Sequence, residues 1–322
     1  MKMKTIGVLT SGGDAPGMNA AVRSVVRTAI AMGMKVKGIR RGYSGLIDED
    51  IIDLDARSVS DIIHRGGTML YTARCLEFKT QEGIEKGVEN CKKHGIEGIV
   101  VIGGDGSFRG ARDLSLNGIP CVGIPGTIDN DISCSEYTLG FDTAMNTVIE
   151  MVDRLRDTSQ SHERCTVVEV MGRKAGYLAL ETGIAVGATS ILVPEVEFDL
   201  QKDVIDKINI IKQSGKKHFI VIVAEGVGGT QKIAKEIEDG TGIDTRATIL
   251  GHVQRGGNAS ARDRIMASMM GYHAVSLLSK EIGNRVVVFR DDQIIDKDIY
   301  EALSMPKVFD LEKFEIATTL AL

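Results

Sequence analysis

Residues Gly98 to Asp131 read GIVVIGGDGSFRGARDLSLNGIPCVGIPGTIDND. Ile99, Val100, Val101 and Ile102 form an unbroken apolar run, as in a parallel strand buried on both faces. Gly103, Gly104 and Gly106 follow; they let the backbone turn sharply and lie close to a ligand. The pattern predicts a helix from about Ser107, whose free N–H groups and dipole face whatever lies over the turn. Cys121 to Ile124 return as a second short strand, and Pro125-Gly126 ends it. Thr127-Ile128-Asp129-Asn130-Asp131 comes next.

A glycine turn at a helix N-terminus suits phosphate. Asp105 inside that turn would repel phosphate unless a cation lay between them, which points to Mg²⁺. Asp129 and Asp131 are two apart in an extended segment, so both can point to one side. A carboxylate beside a phosphate cradle can accept a proton from an attacking hydroxyl. Glycine motifs also match by chance, so a nucleotide-binding turn without catalysis stays open on this stretch alone.

The surrounding chain repeats the layout. Thr5 to Thr10 predicts a buried strand, and Ser11 to Gly17 (SGGDAPG) a glycine-rich turn. Val22, Val25, Val26, Ala29 and Ile30 then recur at helical spacing. Arg23 and Arg27 share another face of that helix; like charges four apart cost a few tenths of a kcal/mol, which an anionic partner would reverse. A solvated basic face is the plainer account. Lys35 to Ile39 predicts a strand, Arg41 to Leu46 a loop, and Asp61 to Thr68 a helix end followed by a turn. Thr80 to His94 predicts an amphipathic helix. Phe141 to Ser161 predicts a longer one, with Asp142 as its cap. Thr166 to Val170, Met171 to Gly176 and the helix after them form a third strand–glycine turn–helix unit, which suggests a second βα domain. Strands are predicted over Ser190 to Pro194, His218 to Ala224 and Arg285 to Phe289, and a helix near Arg262 to Ser279.

The candidates for function thus follow strands, where open parallel sheets bind ligands. The 322 residues suit two domains better than one. Glycine numbers 37, about 11% against a usual share near 7%, as many tight βα turns require. A net charge of −5 argues against a general nucleic-acid or membrane-surface role. The five cysteines make no CxxC pair, as expected of free thiols in a reducing cytosol. No signal peptide or bilayer-spanning run is read, so a cytoplasmic location is expected. GxxxxGK[ST], a dinucleotide GxGxxG in its context, HExxH, zinc-spaced Cys/His and GxSxG are all missing. P-loop, dehydrogenase, zinc and α/β-hydrolase chemistries are disfavoured accordingly. Diacylglycerol and NAD kinases also carry a GGDG turn, but would lack the later motifs.

Those motifs are SGGDAPGMNA, HRGGTMLYTAR, GGDGS, PGTIDND, GFDTA, SHER, MGR, AEG and GHVQRGG. In this order they resemble the bacterial ATP-dependent 6-phosphofructokinases, over nearly the whole chain; the last ~20 residues carry no motif. The resemblance implies an α/β fold of two similar βα domains with mainly parallel sheets flanked by helices, and an active site in the cleft between them. Residues 1–138 plus 256–305 would bind ATP, and 139–255 plus 306–322 fructose 6-phosphate, the chain crossing more than once. Gly13, Arg74, Cys75, Gly104, Asp105, Gly106 and Ser107 would hold ATP, with Asp105 on the Mg²⁺. Asp129 would be the general base for the sugar's 1-hydroxyl. Thr127, Arg173 and Arg74 would stabilise the moving phosphoryl group. Ile128, Met171, Gly172, Glu225, His252, Val253, Gln254 and Arg255 would complete the sugar-phosphate site, with Arg164 and Arg246 reaching in from a neighbouring subunit.

The family is a homotetramer that shares active and effector sites between subunits, with no nucleic-acid or membrane partner. Its effector site takes ADP as activator or phosphoenolpyruvate as inhibitor. Here it would comprise Arg23, Ser24, Val25, Val26, Arg27, Arg156, Gly187, Ala188, Thr189, Ser214, Lys216, Lys217 and His218. Two positions depart from the pattern: Thr189 replaces an acid that helps hold the effector's metal, and Ser214 replaces an Arg. A changed effector preference is expected. Pyrophosphate-dependent relatives typically carry Asp where this chain has Gly106 and Lys where it has Gly126, so ATP is the expected donor. A nucleotide-sensing relative without activity would be expected to have lost Asp105, Asp129 or Arg173; all three are here.

Overall fold

The computed structural model describes residues 3–321. The chain divides into two compact units. Unit 1 comprises Met1–Ile128, Ile132–Thr143 and Arg255–Lys307, and unit 2 comprises Asp129–Asp131, Ala144–Gln254 and Val308–Leu322. Elements are numbered in chain order.

Unit 1 begins with β1 (Thr5–Ser11), α1 (Met18–Ala31), β2 (Lys35–Ile39), α2 (Gly42–Ile47) and β3 (Ile51–Leu54). It continues with α3 (Gln81–Lys93), β4 (Gly98–Gly103), α4 (Asp105–Leu116) and β5 (Cys121–Pro125). The long helix α5 (Phe141–His162) starts in unit 1 and continues in unit 2. Unit 2 adds β6 (Cys165–Val170), α6 (Tyr177–Ala185), β7 (Ser190–Leu192), α7 (Lys207–Gln213), β8 (Phe219–Ala224), α8 (Thr230–Thr241) and β9 (Thr245–Ile249). The chain then returns to unit 1 for α9 (Ala261–Ser279), β10 (Arg285–Arg290), β11 (Gln293–Asp298) and α10 (Ile299–Ser304), and ends in unit 2 with α11 (Leu311–Leu320).

The unit 1 sheet runs β11-β10-β5-β4-β1-β2-β3, parallel except for its outermost pairs, β2–β3 and β10–β11. All six residues of β4 are buried, because helices cover both faces. Ile99 and Val101 face a core shared with α2, α3 and α4 through Leu46, Val88, Phe108 and Leu114. Helices α1 and α9 pack against each other and against the strands.

The unit 2 sheet, β7-β8-β6-β9, is wholly parallel. Alternate residues supply its two cores, as strand geometry dictates. Val168, Val170, Ile220 and Ile222 join residues of α5 and α6 on one face. Cys165, Val167, Val221 and Val223 join residues of α7 and α8 on the other.

Three local expectations are corrected. Residues 42–47, expected as loop, form α2: Tyr43, Leu46 and Ile47 are buried, and Tyr43 stacks on Phe78 at 4.2 Å. Two glycines in six residues hid that short helix. No helix end precedes Gly66; residues 56–61 are turns, and the following loop is held by Asn19, whose side chain bonds Arg65 O, Gly66 O and Met69 N. Asp142 lies within the first turn of α5 rather than capping it, and accepts from the Ser260 hydroxyl at 2.5 Å.

All five cysteines are free, and four are buried. Burial pushes the Cys91 and Cys165 thiols up to about 12 and Cys134 up to about 11, so these sulfurs are packing atoms rather than nucleophiles.

Phe108 is 1% exposed, and a Cβ on Gly123 would come within 2.7 Å of its ring. Phe108→Ala is expected to lower unfolding stability by about 3–5 kcal/mol, measured by urea denaturation.

Candidate active site

In unit 1 the parallel register sets Ser11 opposite Gly103, and Gly103 opposite Pro125. The turns after β1, β4 and β5 therefore leave the same edge of the sheet, side by side. Two of these glycine turns fit each other closely. A side chain at Gly103 would meet Ser11 O and the Ser107 hydroxyl, both at 2.5 Å. Ser107 is buried and donates its hydroxyl to Ser11 O at 3.1 Å. This bond joins two turns.

Gly104 and Gly106 differ. Nothing lies within 4 Å of where their Cβ atoms would be, so open space sits over the first turn of α4, which begins at Asp105 rather than near Ser107. The helix N-terminus offers backbone donors and a positive dipole end to that space. The Asp105 side chain is half exposed and bonds Arg109 one turn on, at 2.9 Å. Among the described residues no cluster of three or more His, Cys, Asp or Glu could hold a metal. One carboxylate beside an open phosphate cradle suits an ion that arrives on the phosphates, as Mg²⁺ commonly does.

The third turn is also braced within unit 1. Thr127 N donates to Leu139 O at 3.1 Å, Leu139 N to Pro125 O at 2.9 Å, and the Thr138 hydroxyl to Thr127 O at 2.6 Å. Ile128 and Asp129 are buried and Asn130 adopts a left-handed φ of 49°. A Cβ at Gly126 would meet Met18 and Ile102 side-chain carbons at 3.1 and 3.2 Å, so packing favours a small residue there.

Two expected residues converge here in a way the motifs did not show. The Arg255 guanidinium donates to Asp14 O at 3.1 Å and leaves no room for a side chain at Gly13, where a Cβ would be 2.6 Å from it. Arg255 therefore belongs with the first glycine turn. The HRGG and GHVQRGG motifs meet as well: a Cβ at Gly66 would lie 2.3 Å from Gly257 O. Arg74 is exposed and Cys75 partly so, on a loop whose Thr72 hydroxyl donates to Gly12 O at 2.9 Å.

In unit 2, Met171, Glu225 and Leu250 begin the segments after three neighbouring strands, so Met171 to Arg173, Glu225 and His252 to Gln254 follow one sheet edge, while Arg164 and Arg246 lie at the opposite ends of their strands. Gly172 (φ 141°) and Arg173 (φ 60°) form a tight turn, and the Glu225 carboxylate accepts from Arg173 N. The Arg173 side chain is exposed. Gln254 is fully buried, accepting from Met171 N at 3.1 Å and donating to Gly251 O at 2.9 Å. Its amide organises the turn; His252 and Val253 are exposed beside it. Burial, then the Glu195 and Asp131 carboxylates, push the Tyr177 phenol up to about 12.

Asp244 is a residue that motif reading missed. It pairs with Arg164 at 2.6 Å and Arg246 at 3.0 Å, holding both guanidiniums at the start of adjacent strands. A lone Asp before a strand carries no signal in sequence.

The expected effector residues fall in both units. In unit 1, Val25 and Val26 are core, Ser24 donates to Ser268 O at 2.5 Å, and only Arg23 and Arg27 offer charge to solvent. In unit 2, Arg156 donates to Val186 O, next to Gly187, and Lys217 pairs with Glu163 at 2.6 Å. Burial, then Arg156, lowers the Lys216 pKa; burial, then Lys216 and Arg156, lowers that of His218. Lys216, His218 and Arg156 thus lie near one another. Ser214 turns its hydroxyl back to Ile211 O at 2.7 Å. The buried Thr189 hydroxyl has no hydrogen-bond partner among the described residues. A cavity of about 470 Å³ lies along α7 and α11 with a mainly apolar lining, and of the expected residues only Ala188 and Thr189 reach it.

A phosphofructokinase family model matches residues 5–278. The chain belongs to the phosphofructokinase family. It is 56% identical to an ATP-dependent 6-phosphofructokinase of Bacillus cytotoxicus over 320 residues, covering 99% of this chain and 100% of that one. A Clostridium botulinum protein of the same name is 57% identical over 319 residues, with the same coverage. The structure of phosphofructokinase from Saccharomyces cerevisiae matches with a TM-score of 0.87 at 34% identity, covering 98% of this chain and 48% of that one. A pyrophosphate-dependent phosphofructokinase from Marinobacter aquaeolei has the same TM-score at 23% identity, covering 96% and 86%, a likeness of fold.

The open space over Gly106 separates folding from ligand binding. Gly106→Ala is expected to leave the melting temperature unchanged or raise it, since alanine favours a helix by about 0.5–1 kcal/mol, while weakening nucleotide binding at least several-fold by calorimetry.

Proposed function

We propose that this enzyme transfers the γ-phosphoryl group of ATP to the 1-hydroxyl of fructose 6-phosphate, giving fructose 1,6-bisphosphate and ADP in glycolysis. The observation that carries the reading is the open glycine cradle at the N-terminus of α4, with Asp105 between Gly104 and Gly106. The names of the full-length bacterial relatives agree with it.

Unit 1 would bind the nucleotide on the turns after β1 and β4, with Arg74 and Cys75 beside them. Asp105 would hold Mg²⁺, which neutralises charge on the phosphates. Phosphoryl transfer needs positioning and charge stabilisation more than covalent help. Thr127, Arg173 and Arg74 offer a hydroxyl and two guanidiniums for the equatorial oxygens. The Asp129 carboxylate would accept the 1-hydroxyl proton as that oxygen attacks in line, the β-phosphate oxygen leaving as ADP.

Unit 2 would bind the sugar phosphate through Met171, Gly172, Glu225 and His252. Arg164 and Arg246, held by Asp244, would act on the 6-phosphate of a neighbouring subunit in a homotetramer. Glycine at both 106 and 126 favours ATP over pyrophosphate, the Gly106 side being the stronger support because its space is open.

An anionic effector would bind among Arg23, Arg27, Arg156, Lys216, Lys217 and His218. With Thr189 in place of an acid, one ligand for a nucleotide-bound metal is missing, so ADP would be a weak activator here.

Asp129→Asn is expected to lower kcat by about 10²–10⁴ with a normal circular dichroism spectrum, in a coupled assay with ATP. Pyrophosphate in place of ATP should support little turnover. Near-normal turnover of the variant would remove the general-base assignment.

Thr189→Glu is expected to tighten Mg-ADP binding at least tenfold over the natural chain by calorimetry. Equal affinities would show that this position does not set effector preference.

A further inference from the structure

The buried carboxylate of Asp263 takes no part in the roles assigned above. It lies on the first turn of α9, fully buried. An acidic residue at that place ordinarily serves its own helix, but this one reaches across to the start of α5. Its Oδ1 accepts from the Tyr137 hydroxyl at 2.5 Å and Gly140 N at 2.7 Å, and its Oδ2 from Thr143 N at 2.9 Å and the Thr143 hydroxyl at 2.5 Å. The return bonds run the other way. Ser260, which caps α9, donates from its backbone N to the Thr143 hydroxyl at 2.9 Å and from its own hydroxyl to Asp142 at 2.5 Å. Two helix N-termini thus cap each other, with a carboxylate at the positive end of the second dipole.

This joint grips the strap that holds the third strand-end turn. Gly140 follows Leu139, which pairs with Pro125 and Thr127, and Thr138, which bonds Thr127 O. Gly140 (φ 100°) has no space for a side chain, because a Cβ there would lie 2.7 Å from Ala15 on the first glycine turn. The Asp263 Cβ also lies 3.5 Å from where a Cβ on Gly17, the N-cap of α1, would be. The buried carboxylate therefore holds the segment bracing Thr127, which in turn packs against the first glycine turn at Ala15. The Arg262 guanidinium lies over the Tyr137 ring at 4.9 Å and closes the joint.

We infer that Asp263 is a positioning residue for phosphoryl transfer: it fixes the 137–143 strap, and through it Thr127 and the Asp129 segment that follows. The inference rests on the proposed roles of Thr127 and Asp129. The nucleotide cradle at Gly104 to Ser107 is built on β4 and α4 and takes no bond from Asp263. The first glycine turn, where ATP would also bind, meets the joint only by packing at Gly140 and Gly17, so the joint bears on turnover far more than on ATP binding.

Asp263→Asn replaces one acceptor oxygen with an amide donor, facing either Thr143 or the Tyr137–Gly140 donors. The full enzyme carrying it is expected to keep its circular dichroism spectrum, to lose at least tenfold in kcat, and to hold KM for ATP within twofold. Thr143→Val, which keeps the shape and loses the hydroxyl, should lose several-fold in kcat, and Thr143→Ser should restore it. These last two variants decide the matter if Asp263→Asn does not fold. Unchanged kcat in a folded Asp263→Asn or Thr143→Val enzyme would overturn the inference. So would equal loss of kcat and ATP affinity, the mark of general loosening. Asp129→Asn measured alongside tests the parent reading: full activity there rejects that reading, whatever Asp263 does.

Discussion

The parallel hydrogen-bond register of β1, β4 and β5 is the constraint on which unit 1 depends. It sets Ser11, Gly103 and Pro125 level, so three loops leave the sheet at one edge. Parallel strands need helical crossovers, and those helices bury both sheet faces. On such a sheet ligands bind beyond the carboxyl ends of the strands. The same logic acts in unit 2, where β8, β6 and β9 bring Met171, Glu225 and Leu250 to one edge.

Glycine serves two different ends at these edges. At Gly103, Gly13 and Gly66 another group occupies the space a side chain would need: Ser107 and Ser11 O, the Arg255 guanidinium, and Gly257 O. Those glycines let two turns touch. At Gly104 and Gly106 the space is empty, and the absence of side chains leaves a helix N-terminus open to a ligand. A sequence motif writes both kinds with the same letter. Only the packing around them separates a structural glycine from a ligand-facing one.

A similar division holds for polar residues. Ser107 and Gln254 sit inside the strongest motifs, yet their side chains are spent on Ser11 O, Met171 N and Gly251 O. Ser24, placed among the effector residues, bonds α9. Asp244 and Asp263 carry no recognisable pattern, yet one holds two arginines and the other joins two helix ends. Motif membership tracks position near a site; the hydrogen-bond partner decides the part a side chain plays.

The amino-acid sequence by itself determined the central strands, the helices α1, α3, α4, α5, α6 and α9, and the strand-end turns. An unbroken run such as Ile99 to Ile102 is compatible with few environments besides a doubly covered parallel strand, and glycine punctuation after it marks the turn. Family membership was legible for the same reason: many short motifs in fixed order constrain the chain more tightly than any one of them. The tertiary structure decided the rest. Short α2, the edge strands β3, β9 and β11, and the turns over 56–61 depend on what packs against them, and local propensity is weak in segments of that length. Placing Arg255 on the Gly13 turn joins residues 242 positions apart and Asp244 to Arg164 joins residues 80 apart, while Asp263 brings a helix start to a strap 120 or more residues away in sequence. Such pairings are set by strand order and helix packing, which no local pattern of residues encodes.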